Sequence, residues 1–263
     1  MKRIVVAAVA ALLVLMLSGA SAPAAGLRPP ASGACNEGLF LNGGDPGPWL
    51  KSRHATVMKL IAPRAPDPRT GVAAVRKAYA EHYKVLVSIQ FTEADTVPQI
   101  VRDFKARVPL YAKYAWAISV GNEADLRLSA AKYRQVWNAV EPVIHKLAPK
   151  ALPVFGEVTP WGLGFMKRAW GKTAPRGVAA IAFHGYHTTA RNAGLMALPQ
   201  VAAWAQSKHV PLWDTESGPS TKYRVFLVTE SARRFYSELA AMERRSPDLK
   251  LVVQWYWPQV GSL

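Results

Sequence analysis

The sequence predicts an α/β fold in one domain, a single (β/α)8 barrel with minimal loops. Three observations predict it. Eight short apolar runs follow one another along the chain, and most are followed by a segment whose apolar residues recur at helical spacing. The runs return every ~17 to 40 residues, which suits βα units. They lack a clean polar–apolar alternation, as expected of strands buried on both faces of a parallel sheet. A doubly wound open sheet is the alternative. The turn after the first run, Asn42-Gly-Gly-Asp-Pro-Gly47, has none of the G-x-G-x-x-G spacing that such a sheet usually carries.

The first 25 residues stand apart from that domain. Lys2 and Arg3 are basic, Ile4 to Leu17 is apolar, and Ser18-Gly-Ala-Ser-Ala22-Pro-Ala-Ala25 offers the small residues of a signal-peptidase site. An apolar core of about 14 residues is short for a membrane span. Residues 1–25 therefore read as a signal peptide and 26–263 as the mature domain, secreted or held in the cell envelope.

The elements follow in order. Leu39-Phe-Leu41 is the first strand-like run and Ala55 to Ile61 the second, ended by Ala62-Pro63. Val85 to Phe91, Tyr114 to Val120, Leu152 to Phe155 and Val178 to Phe183 are the third to sixth, Val210 to Trp213 the seventh and Leu251 to Tyr256 the eighth. Between them, Val72, Val75 and Tyr79 make one helical stripe. Val97, Ile100, Val101, Phe104 and Val108 make another, with Pro98 in its first turn. Ser129 caps the clearest helix, which runs to Leu147 with Tyr133, Val136, Trp137, Val140, Val143 and Ile144 on one face. Val201, Trp204 and Ala205 mark a short helix after Pro199, and Val228, Ala232, Phe235, Leu239 and Met242 a last one. Only Trp257 to Leu263 follow the eighth run, so either the eighth helix is missing or the natural protein is longer, and residues 26–38 are expected to cover part of the gap.

Composition closes off several functions. Nine Trp, nine Tyr and eight Phe in a chain that is 50% apolar exclude disorder, and lone Cys35 excludes a disulfide scaffold. There are 33 Lys and Arg against 17 Asp and Glu, a formal charge of +16, which becomes +14 once Lys2 and Arg3 leave with the signal. An anionic partner (acidic polysaccharide, cell-wall polymer or membrane surface) and a solvated basic face both account for this. No block of five like charges occurs, which favours the solvated face. Nucleic acid is not expected, because no zinc-finger, helix-turn-helix or RNA-binding aromatic signature is present. No cofactor is called for, and a monomer is expected.

In such barrels chemistry sits at the C-terminal strand ends. The polar residues there are Gln90, Thr92 and Glu93 after the third run, Asn122, Glu123 and Asp125 after the fourth, and Glu157, Thr159 and Trp161 after the fifth. His184, Tyr186 and His187 follow the sixth run, Asp214 and Glu216 the seventh, and Trp255 and Trp257 the eighth. Two carboxylates at one barrel mouth suit glycoside hydrolysis, where one protonates the departing oxygen and the other attacks the anomeric carbon or activates water. Trp161, Trp213, Trp255 and Trp257 offer aromatic faces for sugar rings. His184, His187 and Asp214 as a metal site are a weaker reading, without a third ligand at a zinc spacing. A Ser-His-Asp hydrolase lacks its G-x-S-x-G elbow. Glu157 reads equally as a third site carboxylate or a salt-bridged rim residue, and Asp45 as a turn former.

Ser119-Val-Gly-Asn-Glu123 and Pro211-Leu-Trp-Asp-Thr-Glu-Ser-Gly218 resemble the strand-four and strand-seven segments of the large clan of retaining (β/α)8 glycoside hydrolases. The His-Gly-Tyr of the sixth run and the Trp of the eighth are similar to that clan too. The resemblance implies Glu123 as general acid/base, Glu216 as nucleophile and Asn122 as donor to the sugar 2-hydroxyl. It also implies Tyr186 as a hydrogen-bond partner of the nucleophile, His184 in the site wall and Trp255 or Trp257 as a sugar platform. The implied function is a secreted retaining glycosidase with a carbohydrate substrate; the alternative is a barrel that binds carbohydrate or cell wall without turnover. Two departures stand out. Ala124 follows the strand-four Glu where the clan often has Pro. Where the clan often has an Arg beside the nucleophile at the end of strand two, the nearest cations are Lys59 and Arg64.

Overall fold

The computed structural model describes residues 31–35, 55–185, 193–217 and 249–255, with 241 and 246. The strands are β1 (Ala31–Cys35), β2 (Val57–Ala62), β3 (Lys84–Ile89), β4 (Ala115–Val120), β5 (Leu152–Val158), β6 (Ala180–His184), β7 (Leu212–Ser217) and β8 (Leu249–Trp255). Each pairs in parallel with the next, and β1 pairs with β8, Cys35 opposite Trp255, so the sheet closes into a barrel. The helices are α1 (Val72–Ala80), α2 (Val97–Tyr111), α3 (Ala130–Leu147), α4 (Leu163–Trp170) and α5 (Ala193–Ser207). Strand and helix thus alternate from β2 to β7. No described helix is long and apolar enough to cross a membrane.

The helix starts follow from local chemistry. Thr96 and Gln99 form a reciprocal capping box at α2, Thr96 N donating to Gln99 Oε1 at 2.7 Å. Ser129 Oγ accepts from Lys132 N at 3.2 Å and opens α3. α4 was not foreseen in the sequence: eight residues between two Gly give too short a stripe to register against its flanks. α5 runs through Pro199 rather than starting after it.

Two cores lie on either side of the strands. Outside, Met58, Leu60, Val87, Ile118, Phe155 and Ile181 meet the buried faces of the helices. Aromatic edges link that layer: Trp137 and Trp170 each meet Phe155 edge-on, at 5.1 and 5.6 Å, and Trp204 meets Trp170 at 5.6 Å. Inside, Val57, Leu86, Ala117, Val154, Ala180, Ala182, Trp213 and Leu251 fill the N-terminal half of the barrel. The rings of Trp116 and Trp213 stack there with centroids 4.8 Å apart. This N-terminal end is called the floor below, and the C-terminal strand ends the mouth.

Two expectations are corrected. The first strand is Ala31–Cys35, so those residues form part of the barrel wall instead of covering a missing helix. Their small side chains give no apolar run, whereas Leu39–Leu41, which does, lies outside the described residues. Trp213 stacks in the floor and is 5% exposed, so it is not a sugar platform. The proposed signal peptide, the helical stripe from Val228 and the segment after β8 lie outside the described residues.

Candidate active site

Lys59 stands at the centre of the mouth's polar layer. On β2, Val57, Lys59 and Ile61 alternate with Met58, Leu60 and Ala62; Val57 and Ile61 belong to the inner core, so Lys59 points into the barrel. Its side chain has no exposure. Its three N–H donors have three acceptors in reach: Glu216 Oε1 at 2.7 Å, Asn122 Oδ1 at 2.9 Å and His184 Nε2 at 3.3 Å. Glu157 Oε1 lies 2.6 Å from the same nitrogen, close enough for an ion pair but without hydrogen-bond alignment. A single buried cation thus holds residues from β5, β6 and β7 and from the β4 loop.

Interrupted strand registers aim these side chains. Between β5 and β6, Gly156 pairs with Ala182 and Val158 with Phe183, leaving Glu157 as the extra residue. Between β6 and β7, Phe183 pairs with Asp214 and His184 with Glu216, leaving Thr215 over. Such bulges break strict alternation and re-aim side chains at barrel rims. Glu157 takes the left-handed backbone, φ 52°, as does Glu123 at φ 51°. Left-handed backbone is uncommon outside Gly and is strained for a residue with a long side chain. Contacts hold both in place: Glu123 N donates to Glu157 O at 2.7 Å, and Gly156 N donates to the buried Tyr133 hydroxyl at 2.8 Å. Burial, with the nearby Glu157 charge, pushes the Tyr133 hydroxyl well above its usual range, outweighing the Gly156 bond, so it stays neutral. A Cβ on Gly156 would fall 2.6 Å from Ala182 O, so this position admits only Gly.

His184 connects the two carboxylates singled out in the sequence. With Nε2 accepting from Lys59, the ring proton belongs on Nδ1. Nδ1 lies 3.4 Å from Glu123 Oε1 and 3.6 Å from Glu216 Oε2. Glu216 is nearly buried, and Glu123 keeps 29% of its side chain exposed. Asp125, two residues beyond Glu123, accepts from Thr159 N at 3.0 Å and Thr159 Oγ1 at 2.6 Å, tying the β4 loop to the end of β5.

The remaining candidates divide. Asn122, Glu123, His184 and Glu216 converge at the mouth. Glu157 is neither a rim residue nor open to a ligand: with no exposure, it lies beneath the site against Lys59. Trp161 is 68% exposed, beside the Thr159 end of β5. The main chain of Trp255 ends β8; its side chain, and all of Tyr186, His187 and Trp257, lie outside the described residues. Arg64 faces away from the nucleophile candidate, with Nε 3.2 Å from Asp95 Oδ2 and NH1 3.7 Å from Asp103. Among the described residues, no three His, Cys, Asp or Glu group as a metal site. Lys59 is the residue that sequence reasoning left unplaced. The available signal was a cation inside a strand apolar on both faces.

No protein-family model and no curated protein sequence matches the chain. Solved structures do match. A family 39 glycoside hydrolase from the gut symbiont Bacteroides cellulosilyticus WH2 aligns with a TM-score of 0.65 at 12% identity, over 90% of this chain and 58% of that one. A Cellulomonas fimi endo-beta-1,4-mannanase double mutant aligns with a TM-score of 0.66 at 16% identity, over 90% and 67%. Thermotoga maritima Cel5A, in a study of complexes with cellobiose, aligns with a TM-score of 0.63 at 10% identity, over 87% and 90%. The chain spans just over half the length of the family 39 structure. At these identities the likeness shows the fold: this is a barrel of the kind that glycoside hydrolases of the TIM-barrel clan use, and a fold of that kind does not by itself specify an activity.

Proposed function

We propose that the protein is a retaining glycoside hydrolase on a (β/α)8 barrel, exported by residues 1–25, with Glu216 as nucleophile and Glu123 as general acid/base. The observation that carries the reading is that one nitrogen, His184 Nδ1, sits within 3.6 Å of both carboxylates. Their facing oxygens are then at most about 7 Å apart, which is compatible with the ~5–5.5 Å of retaining enzymes.

In the first step Glu216 attacks the anomeric carbon while the bond to the leaving oxygen breaks, and Glu123 gives that oxygen its proton. In the second, Glu123 takes a proton from water, the water oxygen attacks the same carbon, and the ester to Glu216 breaks. Lys59 supports Glu216 as an ionised nucleophile by a short charge-assisted bond. It also fixes the Asn122 amide: Oδ1 accepts from Lys59, which leaves the NH2 group to donate to a sugar hydroxyl. The more exposed of the two carboxylates is the one that must exchange protons with leaving group and water. Glu157 balances Lys59 from below. The substrate in this reading is a poly- or oligosaccharide, taken without a cofactor.

A polysaccharide panel with reducing-end detection tests the activity, and proton NMR of the first-formed anomer tests the stereochemistry. Retention is expected. Inversion would remove Glu216 as nucleophile, and glycan binding without turnover, persisting in the Glu123→Gln/Glu216→Gln variant, would replace catalysis with binding. Recovery of the protein from the medium with its N-terminus near residue 26 tests export.

A further inference from the structure

The floor of the barrel gathers cations. In a closed parallel barrel every strand begins on the same face, and each of β3 to β8 has a basic residue within four positions of its start. Lys84 opens β3, Lys113 and Lys150 lie two residues before β4 and β5, Arg176 and Lys208 lie four residues before β6 and β7, and Lys250 is the second residue of β8. All are exposed except Lys208, which is half-buried. No carboxylate among the described residues forms an ion pair with Lys84, Lys113, Lys150 or Lys208. Cations in the last turns of helices are accounted for by the helix dipole. Lys113, Lys150 and Lys208 lie one to three residues past the ends of α2, α3 and α5 and share in that dipole, whereas Lys84 and Lys250 lie within strands, where that account does not reach.

Aromatic rings lie between the cations. Lys84 Nζ stands 5.4 Å from the centre of the Trp116 ring, and Lys113 Nζ and Arg76 stand 5.7 and 5.6 Å from that of Tyr114. Tyr114 and Trp116 are half-buried, and Tyr79, edge-on to Tyr114, is 46% exposed. Among the described residues, Glu81 is an exposed acid nearby, and the half-buried Glu141 lies against Gly177, next to Arg176.

We propose that the floor is a docking surface for an anionic phospholipid membrane, which orients the barrel with its mouth away from the bilayer. Three observations select a lipid surface over a polymer. The charges spread over the starts of six consecutive strands, β3 to β8, matching a plane rather than a chain lying in a groove. Five of the six are Lys, compact charges that need no bidentate geometry and suit a fluid array of headgroups. Tyr and Trp rings among them fit the headgroup level of a bilayer.

The test is sedimentation of the purified protein with phosphatidylcholine vesicles, with and without one-third phosphatidylglycerol. Binding is expected only with the anionic lipid, and it should weaken as salt rises. Lys84→Gln/Lys113→Gln/Lys150→Gln should lose roughly a hundredfold in affinity, at the usual contribution of each surface cation. Arg102→Gln/Lys105→Gln/Lys132→Gln, which removes equal charge from α2 and α3, should bind within about threefold of wild type. Absence of binding to the anionic vesicles, or equal loss in both variants, overturns the proposal. So does capture by acidic-polysaccharide beads without vesicle binding, which would make the partner a glycan. Circular dichroism of both variants separates lost binding from lost folding. None of these readouts depends on hydrolysis.

Discussion

At the mouth, the barrel interior holds Lys59, Glu157 and His184 without solvent exposure, linked through one ammonium group. At the floor, the same strands enclose stacked indoles and aliphatic side chains, with the charges outside in water. Burying a charge costs several kcal/mol unless it is paired, whereas burying an indole is favourable by itself. The floor therefore stabilises the barrel, and the mouth depends on that stability to hold charges together. Left-handed backbone occurs at both ends, at Glu123 and Glu157 by the mouth and at His82 and His209 by the floor.

The largest expected effect is at the mouth alone. Glu216→Gln should lower kcat by at least about 10⁴-fold while the thermal midpoint moves little. A variant that keeps its activity would detach the cluster from catalysis. Glu123→Gln should cost roughly 10² to 10⁴-fold, least on substrates with good leaving groups, because only the proton transfer is lost; equal losses on all leaving groups would contradict its role as acid. Next come two substitutions of comparable cost and different character. Lys59→Met leaves buried carboxylates uncompensated and should cost about 3–5 kcal/mol in urea unfolding. Adding Glu157→Met should recover part of it, a non-additivity expected of partners in contact. Trp213→Ala should cost about 3–5 kcal/mol through the cavity it leaves, yet the folded variant should keep wild-type kcat. A loss of kcat there would show that floor and mouth are not separable.

The smallest effect is at Asp95. Burial pushes its carboxyl up, but the Thr92 N–H, the Arg64 guanidinium and the Thr92 hydroxyl outweigh that and hold it below its usual 3.8. A lowered folded value stabilises the native state at pH above the unfolded value, and the contribution is lost as pH falls through the folded one. Asp95→Asn should therefore cost ~1–2 kcal/mol at neutral pH, trimmed by the partial exposure of Arg64, and should flatten the loss of stability below pH about 4.

The sequence revealed most where one physical pattern acted alone. Ser129 and its apolar stripe marked α3 to the residue, because capping and periodicity agree there. Strand-end positions picked out Asn122, Glu123, His184 and Glu216 because a barrel gathers strand ends at one face, whatever the pairing details. The parts not legible depended on register. β1 has no apolar run because Ala31, Gly33 and Ala34 are small. Lys59 lies on a strand apolar on both faces, so alternation shows which residues share its side but not that this side is the interior. Glu157 lies beyond the point where the fifth run seemed to end, and only the bulge against β6 turns it under the site.

The backbone bonds at the mouth have one more consequence. Gly121 N donates to Ile89 O, Glu123 N to Glu157 O, Thr159 N to Asp125 Oδ1 and Gly185 N to Glu216 O. The strand-end amides that many proteins present to a ligand are here used to bind one strand end to the next. What enters this cleft must then be recognised at these points by side chains. Side chains change one codon at a time, and the amide frame does not change with them. Such a mouth can be retuned from one ligand to another by single substitutions while its architecture stays the same.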